Sequence, residues 1–234
     1  MKRLYLACLV LTIITAVSAK LLLADNPSHP VFAATTYDEF VNASLDIPVM
    51  SFGFDPESDA AYLLENEDQI FQFLDGHTGA FHSEVNILVV EAESGFRQYT
   101  ASYTQDVTGK EVVKGDAGLN EKKIRIANHF GMVAEENLRP VFAPPQGRNI
   151  MIPGHRYLAF CEKTEIADYE DIPSYRMLPQ LCCFDLSSDY SVVTDGKDCT
   201  YRTFVGSEFC VNYPKILDAL LIIKHDILEK YYHN

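Results

Sequence analysis

Between Glu84 and Ala92 the chain is almost continuously apolar, with Val85, Ile87, Leu88, Val89 and Val90 crowded into one short stretch. A run this short and this β-branched predicts a central strand buried on both faces. The neighbouring segments read as partners with one wet face. Glu93-Ser94-Gly95 predicts a turn into a strand over Phe96–Thr104, where Tyr99, Ala101 and Tyr103 alternate with Gln98, Thr100 and Ser102. Thr108-Gly109 predicts a second turn before Glu111–Val113, and Lys123–Ala127 alternates again through Ile124 and Ile126.

Helices are expected toward the ends of the chain. Thr36 followed by Glu39 matches a capping box, and Asp55-Pro56 opens a second helix with Glu57 and Asp59 in its first turn. Pro214 starts a long helix through Tyr232, with Ile216, Leu220, Ile223, Ile227 and Tyr231 on one ridge. A short helix is predicted over Met132–Arg139, stopped by Pro140. Pro153-Gly154 predicts a type II turn joining Asn149–Ile152 to Arg156–Lys163, and Asp195-Gly196 predicts a tight hairpin between Tyr190–Thr194 and Lys197–Phe204. Strands joined by turns predict a mainly antiparallel sheet, barrel-like or a sandwich, covered by short N-terminal helices and a long C-terminal helix. This is an α+β fold.

The first residues carry an address. Lys2 and Arg3 precede an apolar core over Leu4–Val17, and Val17-Ser18-Ala19 supplies small residues for cleavage before Lys20. Residues 1–19 are therefore expected to be a secretory signal peptide, 20–35 an extended leader, and 36–234 one globular domain. A retained membrane anchor is the minor alternative, because Leu21, Leu22 and Leu23 resume the apolar run; no stable span is expected after cleavage. Asn42-Ala43-Ser44 is the only acceptor sequon, which makes Asn42 the expected glycan site.

Charge narrows the partners. The formal net charge is −14 with 33 acidic residues, and loss of Lys2 and Arg3 with the leader takes it to −16. Nucleic acid and anionic membrane surfaces call for clustered Lys/Arg, which the chain lacks, so no nucleic-acid partner is expected.

Cleavage also removes Cys8 and leaves Cys161, Cys182, Cys183, Cys199 and Cys210, all in the C-terminal third. Export predicts two disulfides stapling residues 161–210, Cys161 with Cys182 or Cys183 and Cys199 with Cys210, leaving one odd thiol. If residues 182–183 are extended, the adjacent cysteines point to opposite faces.

Candidate chemistry is sparse. With Phe81–Val85 extended, His82 and Glu84 project to one face, and His77 folds back from the Asp75-Gly76 turn as a third metal ligand. The spacing matches no established zinc pattern, so a turn histidine beside a strand edge is the competing reading. Asp55, Glu57 and Asp59 resemble the start of a calcium loop, but Ala60 stands where the loop needs glycine and Asn66 where it needs a bidentate Glu. No G-x-S-x-G, H-E-x-x-H or phosphate-cradling glycine loop is present. The chain has no Trp, and with it no G-x-W signature of lipocalin-like carriers.

The leading expectation is a secreted non-enzymatic binding protein without a cofactor, taking a small apolar ligand or a protein partner. The alternatives are a secreted hydrolase or metal-dependent enzyme centred on His77, His82 and Glu84, and a surface or structural protein that dimerises through its odd cysteine.

Overall fold

The computed structural model describes residues 29–50, 55–65, 67–75, 85–99, 102–129, 131–134, 139–144, 147–164, 172–178, 181–195 and 197–233. In chain order these form helices α1 (Tyr37–Ser44), α2 (Pro56–Glu65) and α3 (Glu67–Leu74), then strands β1 (Val85–Tyr99), β2 (Ser102–Lys114), β3 (Lys123–His129), β4 (Gly131–Ala134), β5 (Pro140–Ala143), β6 (Arg156–Lys163), β7 (Ser174–Met177), β8 (Cys183–Asp185), β9 (Val192–Val193) and β10 (Cys210–Val211), and last helix α4 (Pro214–Tyr231).

The apolar run lies at the centre of the sheet. Ile87–Glu91 is hydrogen-bonded on one side to β2 and on the other to β6, both antiparallel. β2 pairs with β3, β3 runs parallel to β7, and β7 returns to β6, so five strands close on themselves in the order β1-β2-β3-β7-β6. β8 extends the sheet along the free half of β6. A mainly antiparallel α+β fold is the result, and its closure makes it a barrel rather than a sandwich.

Closure explains why β1 is apolar at successive positions. Leu88, Val90 and Ala92 face the barrel interior with Val107, Ile124, Ile126, Ala159 and Cys161. Ile87 and Val89 face outward into a second core, where Leu158, Phe160 and Phe184 meet Ile216, Leu220, Ile223 and Ile227 of α4. Each such fully buried aliphatic contributes about 1.5–3 kcal/mol of transfer free energy. A third core closes the N-terminal side: the Phe40 ring lies 4.7 Å from Phe96 and 5.5 Å from Tyr201, and Phe142 lies 4.8 Å from Tyr201. Pro30–Ala33, expected to be extended, forms a 3-10 turn that inserts fully buried Val31 into this core.

The expected helix ends are present. Thr36 Oγ1 accepts from Glu39 N, while the Glu39 carboxylate reaches one residue farther back than a capping box requires and accepts from Thr35 N at 2.8 Å. Asp55 Oδ1 accepts from Glu57 N and Ser58 N, and Asp59 Oδ2 from Asp55 N. Asp55 and Asp59 thus cap the start of α2, while the Glu57 carboxylate pairs with Lys215 Nζ of the C-terminal helix.

Several turns resolve differently. Glu93-Ser94-Gly95 does not reverse the chain but bulges inside β1, and Thr108-Gly109 lies within β2. Gly109 serves close approach, since a Cβ there would stand 2.3 Å from the Leu119 carbonyl oxygen. Met132–Ala134, expected to open a helix over Met132–Arg139, instead lie in β4 and pair antiparallel with β5; residues 135–138 lie outside the described residues. Pro153-Gly154 does turn, with Gly154 at φ +82 and His155 N donating to Ile152 O, but the backbone before it pairs with the 208–209 segment, and it reaches β6 through Ile152 N donating to the Tyr157 hydroxyl. Asp195 turns too, with Lys197 N donating to Thr194 O. The strand before it, β9, pairs in parallel with β10, and residues 201–203 are 3-10 helical.

Candidate functional site

The bulge in β1 creates a recess. Ala92 faces Val107 and Phe96 faces Gln105, so Glu93, Ser94 and Gly95 together oppose the single residue Asp106. Bulges of this kind re-aim side chains at sheet surfaces. Gly95 is needed here because a Cβ would lie 2.6 Å from Asp106 Oδ2. The resulting cavity of about 130 Å³ is lined by Thr35, Gly95, Phe96, Arg97, Thr104, Asp106 and Arg125. Phe96, Thr104, Asp106 and Arg125 are buried, whereas Thr35 and Arg97 are exposed at the rim.

The recess is bounded by an ion-pair network. Arg125 Nε donates to Asp106 Oδ1 at 2.7 Å and Nη2 to Oδ2 at 3.3 Å; Lys123 Nζ lies 3.3 Å from Asp106 Oδ2 and 2.8 Å from Glu93 Oε2. Burial works to raise the Asp106 carboxyl, but Arg125 and Lys123 hold it below the ordinary carboxylate range. The same balance, burial against Lys123 and Thr108, keeps Glu93 low. This lining offers fixed charges and hydroxyls for a polar group. It contains no His, Cys or Ser to act as base or nucleophile.

A second polar cluster joins α4 to the barrel. Asp185, opposite Tyr157 in the sheet, accepts from Ser187 N and lies 2.9 Å from His155 Nδ1. Its own amide donates to Glu208 Oε1 at 2.9 Å, and Glu208 Oε2 accepts from Lys224 Nζ of α4 at 2.7 Å. Lys224 also reaches exposed Asp189 at 2.9 Å. Burial pushes the Glu208 carboxyl up to about 7 against the opposing pull of Lys224. Nearby, the buried Arg148 guanidinium lies over the Phe184 ring at 4.7 Å and the Phe209 ring at 5.7 Å. Asp185, Glu208 and Lys224 are buried and linked in series, the arrangement of a structural clasp.

His77, His82 and Glu84 lie outside the described residues; among those described, no group of three or more His, Cys, Asp or Glu is placed to hold a metal. Asn42 is exposed on α1, opposite the face buried by Tyr37, Phe40 and Ser44.

The cysteines correct the disulfide expectation: among the described residues no disulfide joins Cys161, Cys182, Cys183, Cys199 and Cys210. Cys161 faces Met177 and Cys183 faces Ala159, so those two cysteines are diagonal neighbours across the sheet. Diagonal positions lie roughly 7–8 Å apart, beyond the usual Cα span of a disulfide. Cys182 and Cys183 do not point to opposite faces either. Cys182 takes the left-handed conformation, φ +47, just before β8, and both thiols enter the barrel core. Of the five cysteines, only Cys199 is partly exposed.

No protein-family model matches the chain, and no curated protein is detectably similar to it in sequence. The recess residues went unnoticed in the sequence: Gly95 reads as a turn glycine, and no local motif marks Asp106 and Arg125, which strand register brings together.

Proposed function

We propose that this chain is a secreted, non-enzymatic binding protein that takes a protein partner on its outer surface, at the recess beside the β1 bulge. The carrying observation is the filled barrel interior. Leu88, Val90, Val107, Ile124, Ala159 and Cys161 are buried there with essentially no exposure. Barrels of about eight strands are only just wide enough for side chains or one small ligand, and five strands enclose less. A lumenal apolar ligand is therefore disfavoured relative to a partner bound outside.

The position of the recess supports the same reading. A five-stranded barrel ordered 1-2-3-5-4, with its third and fifth strands parallel, has the layout of OB-type barrels, whose second and third strands form a common binding face. Asp106 and Arg125 lie on the second and third strands here. Such likeness of layout leaves partner chemistry open. Export supports the reading through the leader over residues 1–19, and glycosylation at Asn42 belongs with it. Among the described residues no helix is long and apolar enough to cross a membrane.

The test is native mass spectrometry of the secreted protein, combined with affinity capture from extracellular fluid. The expected result is a mass without bound lipid and a captured protein that is lost with Arg97→Glu. Stoichiometric co-purifying lipid would sink this reading and favour an apolar-ligand carrier.

A further inference from the structure

We infer that Asn42 is a glycan acceptor open to modification only before α1 folds, a deepening of the export reading above. An Asn-X-Ser acceptor is defined by an amide and a hydroxyl two residues apart, so the transferase must reach both side chains together. Folding separates them in two ways.

First, residues i and i+2 of a helix do not share a face. Tyr37, Phe40 and Ser44 form the buried face of α1, and Asn42 stands on the exposed one. Second, Ser44 is fully buried, and its Oγ donates to the Phe40 carbonyl at 2.6 Å. Exposing that hydroxyl means unwinding the last turns of α1 and disturbing Phe40, whose ring is held among Phe96, Phe142 and Tyr201. Modification therefore competes with burial of Phe40 as the chain enters the secretory compartment.

The reverse order is compatible with the fold, because a glycan already on Asn42 projects from the exposed face. In the transfer, Asn42 Nδ2 attacks the anomeric carbon of a polyprenyl-diphosphate-linked oligosaccharide. The carbon–oxygen bond to the diphosphate breaks, the lipid diphosphate leaves with the electron pair, and Nδ2 gives up one proton to the transferase.

The test has two arms. In the first, the full chain is translated with microsomes present during synthesis and scored for protease protection and for a glycosidase-sensitive mobility shift. A protected chain should shift, and Asn42→Gln should remove the shift. In the second, the folded full chain, purified from a host that adds no N-glycans, is incubated with solubilised transferase and lipid-linked oligosaccharide. A synthetic 36–48 peptide serves as the unfolded acceptor. The peptide should be modified at least tenfold faster than the folded chain, and Phe40→Ala should narrow that gap. A protected chain without a shift overturns the site, and equal rates for folded chain and peptide overturn the order of events. A chain left unprotected overturns the export reading instead, with the second arm still deciding the acceptor.

Discussion

Gly95 and Asp106 show how much one absent Cβ can decide. Gly95→Ala places a carbon 2.6 Å from Asp106 Oδ2, and the carboxylate cannot yield easily while Arg125 and Lys123 hold it. Overpacking of this kind typically costs 1–3 kcal/mol, so the denaturant midpoint should fall with an unchanged m-value, and the recess should narrow. The cysteines make the opposite point, that a reactive residue type can be inert by placement. Burial raises the thiols of Cys161, to about 12, and of Cys182, Cys183 and Cys210. Since the thiolate is the nucleophile, iodoacetamide at neutral pH should label Cys161, Cys182, Cys183 and Cys210 only on unfolding, which peptide mapping after timed quenching would show. Early labelling of Cys161 would contradict its burial. Glu208 carries the acid–base consequence. Its carboxyl is raised in the folded chain to about 7 from an ordinary 4.5, so the native state binds the proton more tightly than the unfolded state. The stability from this group is full below about pH 4.5 and is lost as pH rises through about 7. Glu208→Gln mimics the protonated form, so stability of the variant relative to wild type should grow between pH 5 and 8 in parallel denaturation curves.

Among elements, those carrying their own signal were legible, and those depending on a distant partner were not. The long helix α4 was readable because Ile216, Leu220, Ile223 and Ile227 repeat at helical spacing and all pack on the sheet. The caps at Thr36 and Asp55 were readable because their partners lie within four residues. The bulge in β1 was not readable, since Glu93-Ser94-Gly95 has turn chemistry and only pairing with β2 shows that the strand continues. The same applies to β4, whose apolar residues fit a helix until Met132 pairs with Phe142 in the third core. For the recess, the acidic and basic residues were visible but their meeting was not, because Asp106 and Arg125 are brought together by strand register. The clearest test at this scale concerns how α4 is attached. Ile227 is fully buried against the barrel, so Ile227→Ala should cost about 2–5 kcal/mol by cavity formation. If the loss is under 0.5 kcal/mol, α4 is not the lid over the outer face of β1 and β6.

At the scale of the whole molecule, β1 is the member that every core shares. Leu88 and Val90 reach the barrel interior, Ile87 and Val89 the core under α4, and Phe96 the aromatic core of the N-terminal segment. Ile87–Glu91 is also bonded to neighbours on both sides, its amides shared between them, so freeing all of them requires breaking both the β2 and the β6 pairing. By contrast, β9 and β10 hold each other through a two-residue parallel ladder, and the 3-10 turn at Tyr201–Thr203 has no side-chain cap. Opening free energies within one protein range from near zero to the full unfolding free energy, in contiguous units. Native-state hydrogen exchange should therefore find the slowest amides in Ile87–Val90 and the facing Tyr157–Phe160, exchanging through global unfolding. Exchange there should follow the denaturation free energy across the Ile227→Ala and Gly95→Ala variants, whereas exchange at Val192–Val193 should be faster and barely respond. Were the Ile87–Val90 amides to exchange before those of β9, the barrel would not be the cooperative unit, and the outer cores would have to fold without it.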